Sequence, residues 1–316
     1  MKFSDFLVEW LENRRPYWRN STFESVCVYV YAHIKPYFDE KGIDLSLITA
    51  RHIRDYVHFK MTDGRKDGKS GGLGHASIRK HLSVIKQCLD EAVCLDMIPH
   101  NPADAVKLPK VSTLTDRVVF LNQDEAQQII NAFLHSRYKP CVVMALYYGL
   151  RRSEILGLKW SAIDFEKNLL YIRHTVVKCT SIHSEDNTKT PTSRRQYTIL
   201  PEVHEMLLAL KKEQEVAKTY ELEGYLFRDE KGRVMRPDCL TRGFQRVLKA
   251  HHLPNMRFHD LRHSTASILF DKGWGEKDIQ EWLGHSDIET TLNIYVHYSR
   301  DRKILSAEKL KGMFKI

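Results

Sequence analysis

Several signatures are missing from the 316-residue sequence, and each absence closes off a class. The six cysteines, Cys27, Cys88, Cys94, Cys141, Cys179 and Cys239, include no C-x-x-C pair and no framework spacing. Free thiols in a reducing cytosol are therefore the simplest account. No apolar stretch approaches the roughly 20 residues of a membrane span. Met1-Lys2-Phe3-Ser4-Asp5 is not the start of a signal peptide. The expectation is a soluble, cytoplasmic protein with no membrane partner. His259 and His263 have zinc-like spacing, but the Glu and the third ligand of the zincin pattern are missing, so no metal and no cofactor is expected.

What is present is positive charge and two domains' worth of apolar residues. Forty-nine Lys and Arg against 40 Asp and Glu give +9, which suits a polyanionic ligand. The excess is shared, with 17 basic against 14 acidic residues up to Lys110 and 32 against 26 beyond it. With 42% hydrophobic residues, a chain of this length can build two cores. Pro99, Pro102 and Pro109 fall among basic and small residues between Ile98 and Phe120. Closely spaced prolines block helix continuation, so residues 99–119 are assigned as a linker between a domain over 1–98 and another over 120–298, with a tail over 299–316.

In the first half, Phe3, Phe6, Leu7, Trp10 and Leu11 fall at helical spacing, as do Val26, Val30 and Ile34, then Ile53 and Val57, then Leu82, Ile85, Leu89 and Val93. About four helices follow from this. The segment Asp63 to Gly74, with five glycines and the basic residues Arg65, Lys66 and Lys69, separates the third from the fourth as a flexible loop.

In the second half, Asn122 followed by Glu125 marks a helix start. The run Cys141 to Leu150 is almost wholly apolar, so its helix is expected inside, with Arg151 at the edge of a rigid core. An ordinary salt bridge to Glu154 at i+3 is the plain alternative for Arg151. Alternating residues predict strands over Leu169 to Val177 and Gln196 to Leu200, joined by a polar stretch with a basic tip around Lys189. His259 and Arg262 share a face of a predicted helix, with His263 beside them in a supporting role. Leu283-Gly284-His285 is assigned as a helix stop at Gly284, after which a new helix carries Tyr295, with Tyr298 as its rival.

The chemistry-bearing words are Gly149-Leu150-Arg151, Thr188-Lys189-Thr190, His259-Asp260-Leu261-Arg262, Leu283-Gly284-His285 and Tyr295. Two guanidiniums, an ammonium, two imidazoles and a phenol suit attack of a tyrosine on a phosphodiester. A phenol with a pKa of about 10 needs a base or a positive pocket. The extra charge on the phosphate oxygens needs planar Arg forks, and the leaving hydroxyl needs a proton.

In these residues, over roughly Leu121 to Ser299, the chain resembles the tyrosine recombinase family, also called phage integrases. The Thr-Lys-Thr and Ser-Arg-Arg words are more similar to mobile-element integrases than to housekeeping members. The resemblance implies a mainly α fold with a small antiparallel β-sheet, arranged as a two-domain C-clamp: a helical core-binding bundle plus an α+β catalytic domain. It implies that Arg151 and Arg262 clamp the phosphate and that Lys189 protonates the 5′ leaving oxygen. His259 is then the acid/base partner, His285 a hydrogen-bond donor and Tyr295 the nucleophile of a 3′-phosphotyrosyl bond, formed without metal or ATP. It further implies double-stranded DNA as substrate, a homo-tetramer on synapsed DNA, a tail that packs on a neighbouring protomer, and accessory DNA-bending or directionality proteins. Arg152, Lys66, Lys69, Arg194 and Arg195 are expected to contact DNA. The chain opens directly on the first helix pattern, so an arm-binding domain of the kind many mobile-element integrases carry is either lacking or removed. The competing readings are a type IB topoisomerase-like nicking and resealing enzyme and a catalytically silent DNA-binding protein.

Overall fold

Phe3, Phe6, Leu7, Trp10 and Leu11 are all within 2% of complete burial and form the inner stripe of α1 (Phe3–Arg14). The second apolar series continues through one long helical element: α2 (Asn20–Tyr29), a π-helical turn at Val30–Ile34, and α3 (Lys35–Lys41). Two features of the sequence account for the wide turn. Pro36 lacks the N–H that would bond the carbonyl of Ala32. In addition, the apolar residues Val26, Val30, Ile34 and Phe38 recur every four positions, which drifts by about 40° per step on an ideal α-helix. The wider turn takes back part of that drift, and all four side chains remain buried.

The chain then forms α4 (Ala50–Asp63), opened by Thr49 and His52 in reciprocal capping bonds, and α5 (His75–Cys94). The expected loop lies between them, with Lys66 and Lys69 exposed on it. The structure, a computed structural model, describes residues 1–109, 118–178, 182–185, 195–229 and 231–284. It divides into two compact units, Met1–Leu114 and Thr115–Ile316.

The first part of the expected linker belongs to the first unit. Asn101 accepts from Ala103 N–H and donates to the Lys86 carbonyl and to Asp90, opening a 3₁₀ turn at Pro102–Ala105. Pro102, Ala103 and Val106 are buried, and Ala103 and Val106 join the core of α1 to α5. The prolines here stop a helix without freeing the chain, because apolar side chains between them still reach the core.

In the second unit, α6 (Gln123–Ala132) has the Asn122–Glu125 capping box. Helix α7 (Lys139–Tyr148) is apolar all round and central, as a helix of that composition must be. After the short α8 (Arg152–Leu156) come β1 (Ile163–Asp164), β2 (Leu169–Ile172), β3 (Thr175–Lys178), β4 (Ile182–Glu185) and β5 (Arg195–Thr198). The expected strands pair as β2 with β5, in a sheet of order β1-β2-β5, but the strand expected over Leu169 to Val177 is broken in two, and its second piece forms a separate antiparallel ribbon, β3-β4. Leu170 pairs with Tyr197, and Val176 with Ser184. The break falls at Arg173-His174, where the guanidinium of Arg173 stacks over Tyr171 and the His174 carbonyl closes against Gly157, leaving no room for a Cβ there. Helices α9 (Pro201–Val216), α10 (Pro237–Ala250), α11 (Asp260–Asp271) and α12 (Glu276–Leu283) complete the described part of the unit, with α11 lying along α7. The fold is mainly α with a small antiparallel sheet. No described helix is long and apolar enough to cross a membrane.

The first core holds a buried polar pair that sets its pH range. His81 is 1% exposed, with Nδ1 2.9 Å from Tyr56 Oη and its ring 4.9 Å from that of His33. Burial, then the adjacent His33 and Lys60, lowers the imidazole from 6.5 to about 4. Between those values the unfolded chain binds more protons than the folded one. Stability therefore falls as pH drops through that window, by up to about 3 kcal/mol. Urea titrations of the full chain near pH 7 and near pH 4.5 should show a loss that is smaller in His81→Gln than in the wild type. Equal losses in the two proteins would show that His81 is not the titrating group.

Candidate active site

The site is built where three helix termini of the second unit meet. Helix α7 ends at Gly149, whose φ of 60° only glycine adopts readily, and a Cβ there would lie 2.1 Å from Leu283 Cδ2 of α12. That close approach joins the end of α7 to the end of α12. Leu150 turns inward, and Arg151 takes an extended backbone as the residue before α8. Glu154, three residues on, reaches back to accept from Arg151 N–H at 2.8 Å. An acidic group at the third helical position is the ordinary partner of a helix start, but here it is 2% exposed.

Glu154 also accepts from the Arg151 guanidinium, Nη1 to Oε1 at 2.7 Å, so the i+3 salt bridge weighed as the plain alternative is formed. It does not use up Arg151. The other terminal nitrogen, Nη2, donates to the Gly284 carbonyl at 3.0 Å, and the side chain is 34% exposed. Gly284 is in the left-handed region at φ 66° and ends α12, as the Leu283-Gly284 word implied. Arg262, on the first turn of α11, is 1% exposed and donates Nη1 to the Gly149 carbonyl at 2.6 Å. Each arginine is thus held against the carbonyl of a helix-ending glycine.

His259 precedes α11 and is exposed to solvent, with its ring packed edge-on to His263 at 4.8 Å. Partial desolvation of the ring, followed by His263, Arg262 and Arg151, lowers its pKa below the ordinary 6.5. The neutral imidazole, the form that accepts a proton, is therefore the form present at neutral pH. Asp260 is buried and paired with Arg257, Nη2 to Oδ1 at 3.0 Å, which anchors the turn. His263 is half-buried against Phe120 as well.

Burial alone would raise Glu154. The guanidiniums of Arg195 and Arg151, then Arg262, overcome it and lower the carboxyl to about 2. Burial, then Arg151, lowers Arg262. Two cations in low dielectric repel each other, and an anion between them relieves that repulsion. The corner is suited to a phosphate.

Not every expected residue is at the surface or within view. Arg152 is exposed and donates to Thr241 Oγ1 of α10 at 2.6 Å. Arg195, expected to contact DNA, has a side chain 9% exposed and salt-bridged to Glu154. The alternation of β5 turns it inward with Tyr197. Lys189, Arg194, His285, Tyr295 and Tyr298 lie outside the described residues. The sequence reading missed Glu154 as a hub and Tyr197 as a bridge, which accepts from Arg195 Nε and donates to the Trp282 carbonyl. The acidic residue at the third helical position was the available signal for the first. Nothing local marked the second.

The sequence profile described as "Phage integrase family" matches residues 119–302, and "Phage integrase, N-terminal SAM-like domain" matches residues 2–61. A "Tyrosine recombinase XerC-like" protein of Caldanaerobacter subterraneus subsp. tengcongensis is 27% identical over 295 residues, covering 86% of this chain and 73% of that one. The "ICEBs1 integrase" of Bacillus subtilis is 27% identical over 285 residues, covering 84% and 76%. Among solved structures, the Tn1549 transposon integrase in complex with a circular intermediate DNA superposes with a TM-score of 0.79 at 21% identity, covering 98% of this chain and 99% of that one.

Two outcomes follow from the geometry. Gly149→Ala should destabilise the protein by at least about 2 kcal/mol, from the left-handed backbone and the displaced Leu283, a loss readable as a lower melting temperature. An unshifted melt would mean that α7 and α12 do not meet there. In the free protein, the His259 ring, assigned by comparison with His259→Asn, should titrate in NMR below the ordinary histidine midpoint of about 6.5. A midpoint above that value would place a protonated ring at the site.

Proposed function

The chain belongs to the phage integrase family and is a site-specific DNA recombinase of the mobile-element integrase type; on that premise we propose how its own residues break and rejoin DNA. The observation that carries the proposal is the convergence of Arg151 and Arg262, 111 positions apart in sequence, on two neighbouring helix ends beside a neutral His259. Tyr295 attacks the scissile phosphorus, and its phenolic proton passes to His259. Arg151 and Arg262 neutralise the charge that builds on the non-bridging oxygens. His285 adds a hydrogen bond to one of those oxygens. Lys189 protonates the departing 5′ oxygen.

The product is a 3′-phosphotyrosyl bond that conserves the energy of the phosphodiester, so the 5′ hydroxyl of a second strand reverses the step without a nucleotide. The substrate is double-stranded DNA carrying the recombination sites. Exchange takes place in a tetramer of this chain on two synapsed duplexes, with the tail over 299–316 packing on the neighbouring protomer.

A nicked suicide duplex drawn from the flanks of the native gene tests the scheme. Incubated in chelator, the wild type should form a denaturation-resistant protein–DNA adduct that Tyr295→Phe does not form. Arg151→Ala should slow adduct formation by about 100- to 1,000-fold, the cost of removing one oxyanion donor. A metal-dependent cut without an adduct would refute the scheme.

A further inference from the structure

Arg195 opens β5 six residues beyond Lys189, in a segment so basic and polar that it invites a DNA-contact assignment. Its surroundings point elsewhere. Nη2 lies 2.9 Å from Glu154 Oε2 and Nη1 lies 3.2 Å from Oε1, so both carboxylate oxygens are taken by one fork. Oε1 is the oxygen that also receives Arg151 Nη1 at 2.7 Å. The remaining Nε donates to Tyr197 Oη, and that hydroxyl donates to the carbonyl of Trp282. Trp282 stands two residues before Gly284, whose carbonyl receives the other nitrogen of Arg151. One buried guanidinium therefore ties together β5, α8 and the end of α12, and both acceptors of Arg151 are fixed through it. A cation sequestered in this way releases no counterions from DNA.

On the recombinase reading above, we propose that Arg195 is a positioning residue for strand cleavage, which fixes Glu154 and the end of α12 and through them the direction of Arg151, without itself touching DNA. A carboxylate held by Arg151 alone is free to turn about its terminal torsion. A second planar fork gripping both oxygens fixes its plane. Lysine is a poor substitute, because one ammonium has no rigid geometry with which to span both oxygens and Tyr197. The placement also gives the strand that follows Lys189 a fixed anchor inside the site.

The test uses full-length Arg195→Gln and Arg195→Lys on the duplex that the wild type cleaves. Binding is measured over a salt series, and single-turnover adduct formation is measured at saturating DNA. For Arg195→Gln the saturating rate should fall about 100-fold, as expected for a misaligned group. Affinity should stay within about twofold and its salt slope should be unchanged, because no phosphate contact is lost. Arg195→Lys should recover only part of the rate. A salt slope reduced by about one with an undiminished saturating rate would instead make Arg195 a phosphate contact and overturn the proposal, and so would full activity in Arg195→Gln. A thermal-unfolding cycle of Arg195→Gln, Glu154→Gln and the double variant reads the pair independently of cleavage: coupled shifts are expected, and additive ones refute the contact. If the wild type bound DNA but formed no adduct, the recombinase reading would fall, while the cycle would still decide whether Arg195 and Glu154 are joined.

Discussion

The geometry of the site depends on one buried carboxylate. Glu154 is 2% exposed, takes two guanidiniums and a backbone N–H, and remains ionised because Arg195, Arg151 and Arg262 outweigh the burial that would neutralise it. Buried ion pairs add little net stability. Removing one partner, however, strands a charge and costs about 3–5 kcal/mol. The arrangement is therefore better understood as a device for direction than for stability. A guanidinium with a single acceptor swings about four side-chain torsions. Arg151 has a carboxylate at one nitrogen and a carbonyl at the other, so its plane is fixed before any phosphate arrives.

That precision needs a stiff base, and the sequence supplies one in α7. From Cys141 on it is apolar on every side, and it lies against α11, where Thr265 Oγ1 sits 3.0 Å from the carbonyls of Ala145 and Leu146. Glycine at 149 lets Leu283 close on the helix end, which a Cβ would prevent. The path from sequence to site thus runs through packing: an all-apolar helix, a left-handed glycine, then an arginine that can only emerge at the edge.

How much of this was legible in the sequence depended on whether the signal was local. The apolar periods of α1, α4 and α5, the Asn122–Glu125 cap and the glycine stops at 149 and 284 all act within a turn or two, and each was read correctly. The break at Arg173-His174 was not legible, because it depends on Gly157 meeting a strand from another part of the chain. The first linker residues were misread for a related reason: proline reports that a helix stops, but not that Ala103 and Val106 find a core. Arg195 shows the limit most clearly. Charge composition places an arginine in a basic stretch at the surface, whereas the alternation of β5 places it inward with Tyr197, and the tertiary partner Glu154, 41 positions away, makes that burial affordable.

The remaining question is why so much positive charge is stable before DNA binds. Among the described residues, Arg151, Arg195 and Arg262 face the one carboxylate of Glu154 in a partly dry corner. The helix ends supply the balance. Gly149 and Gly284 terminate α7 and α12, and their carbonyls stand at the negative ends of those helices, each accepting from one arginine. A carbonyl at a helix end carries only a fraction of a charge. A phosphodiester oxygen carries far more, and its hydrogen bonds to guanidinium are roughly twice as strong as neutral ones. The glycine carbonyls are thus strong enough to hold the clamps in direction and weak enough to yield them to a phosphate. Glu154, with its full charge, stays behind to keep Arg151 in plane.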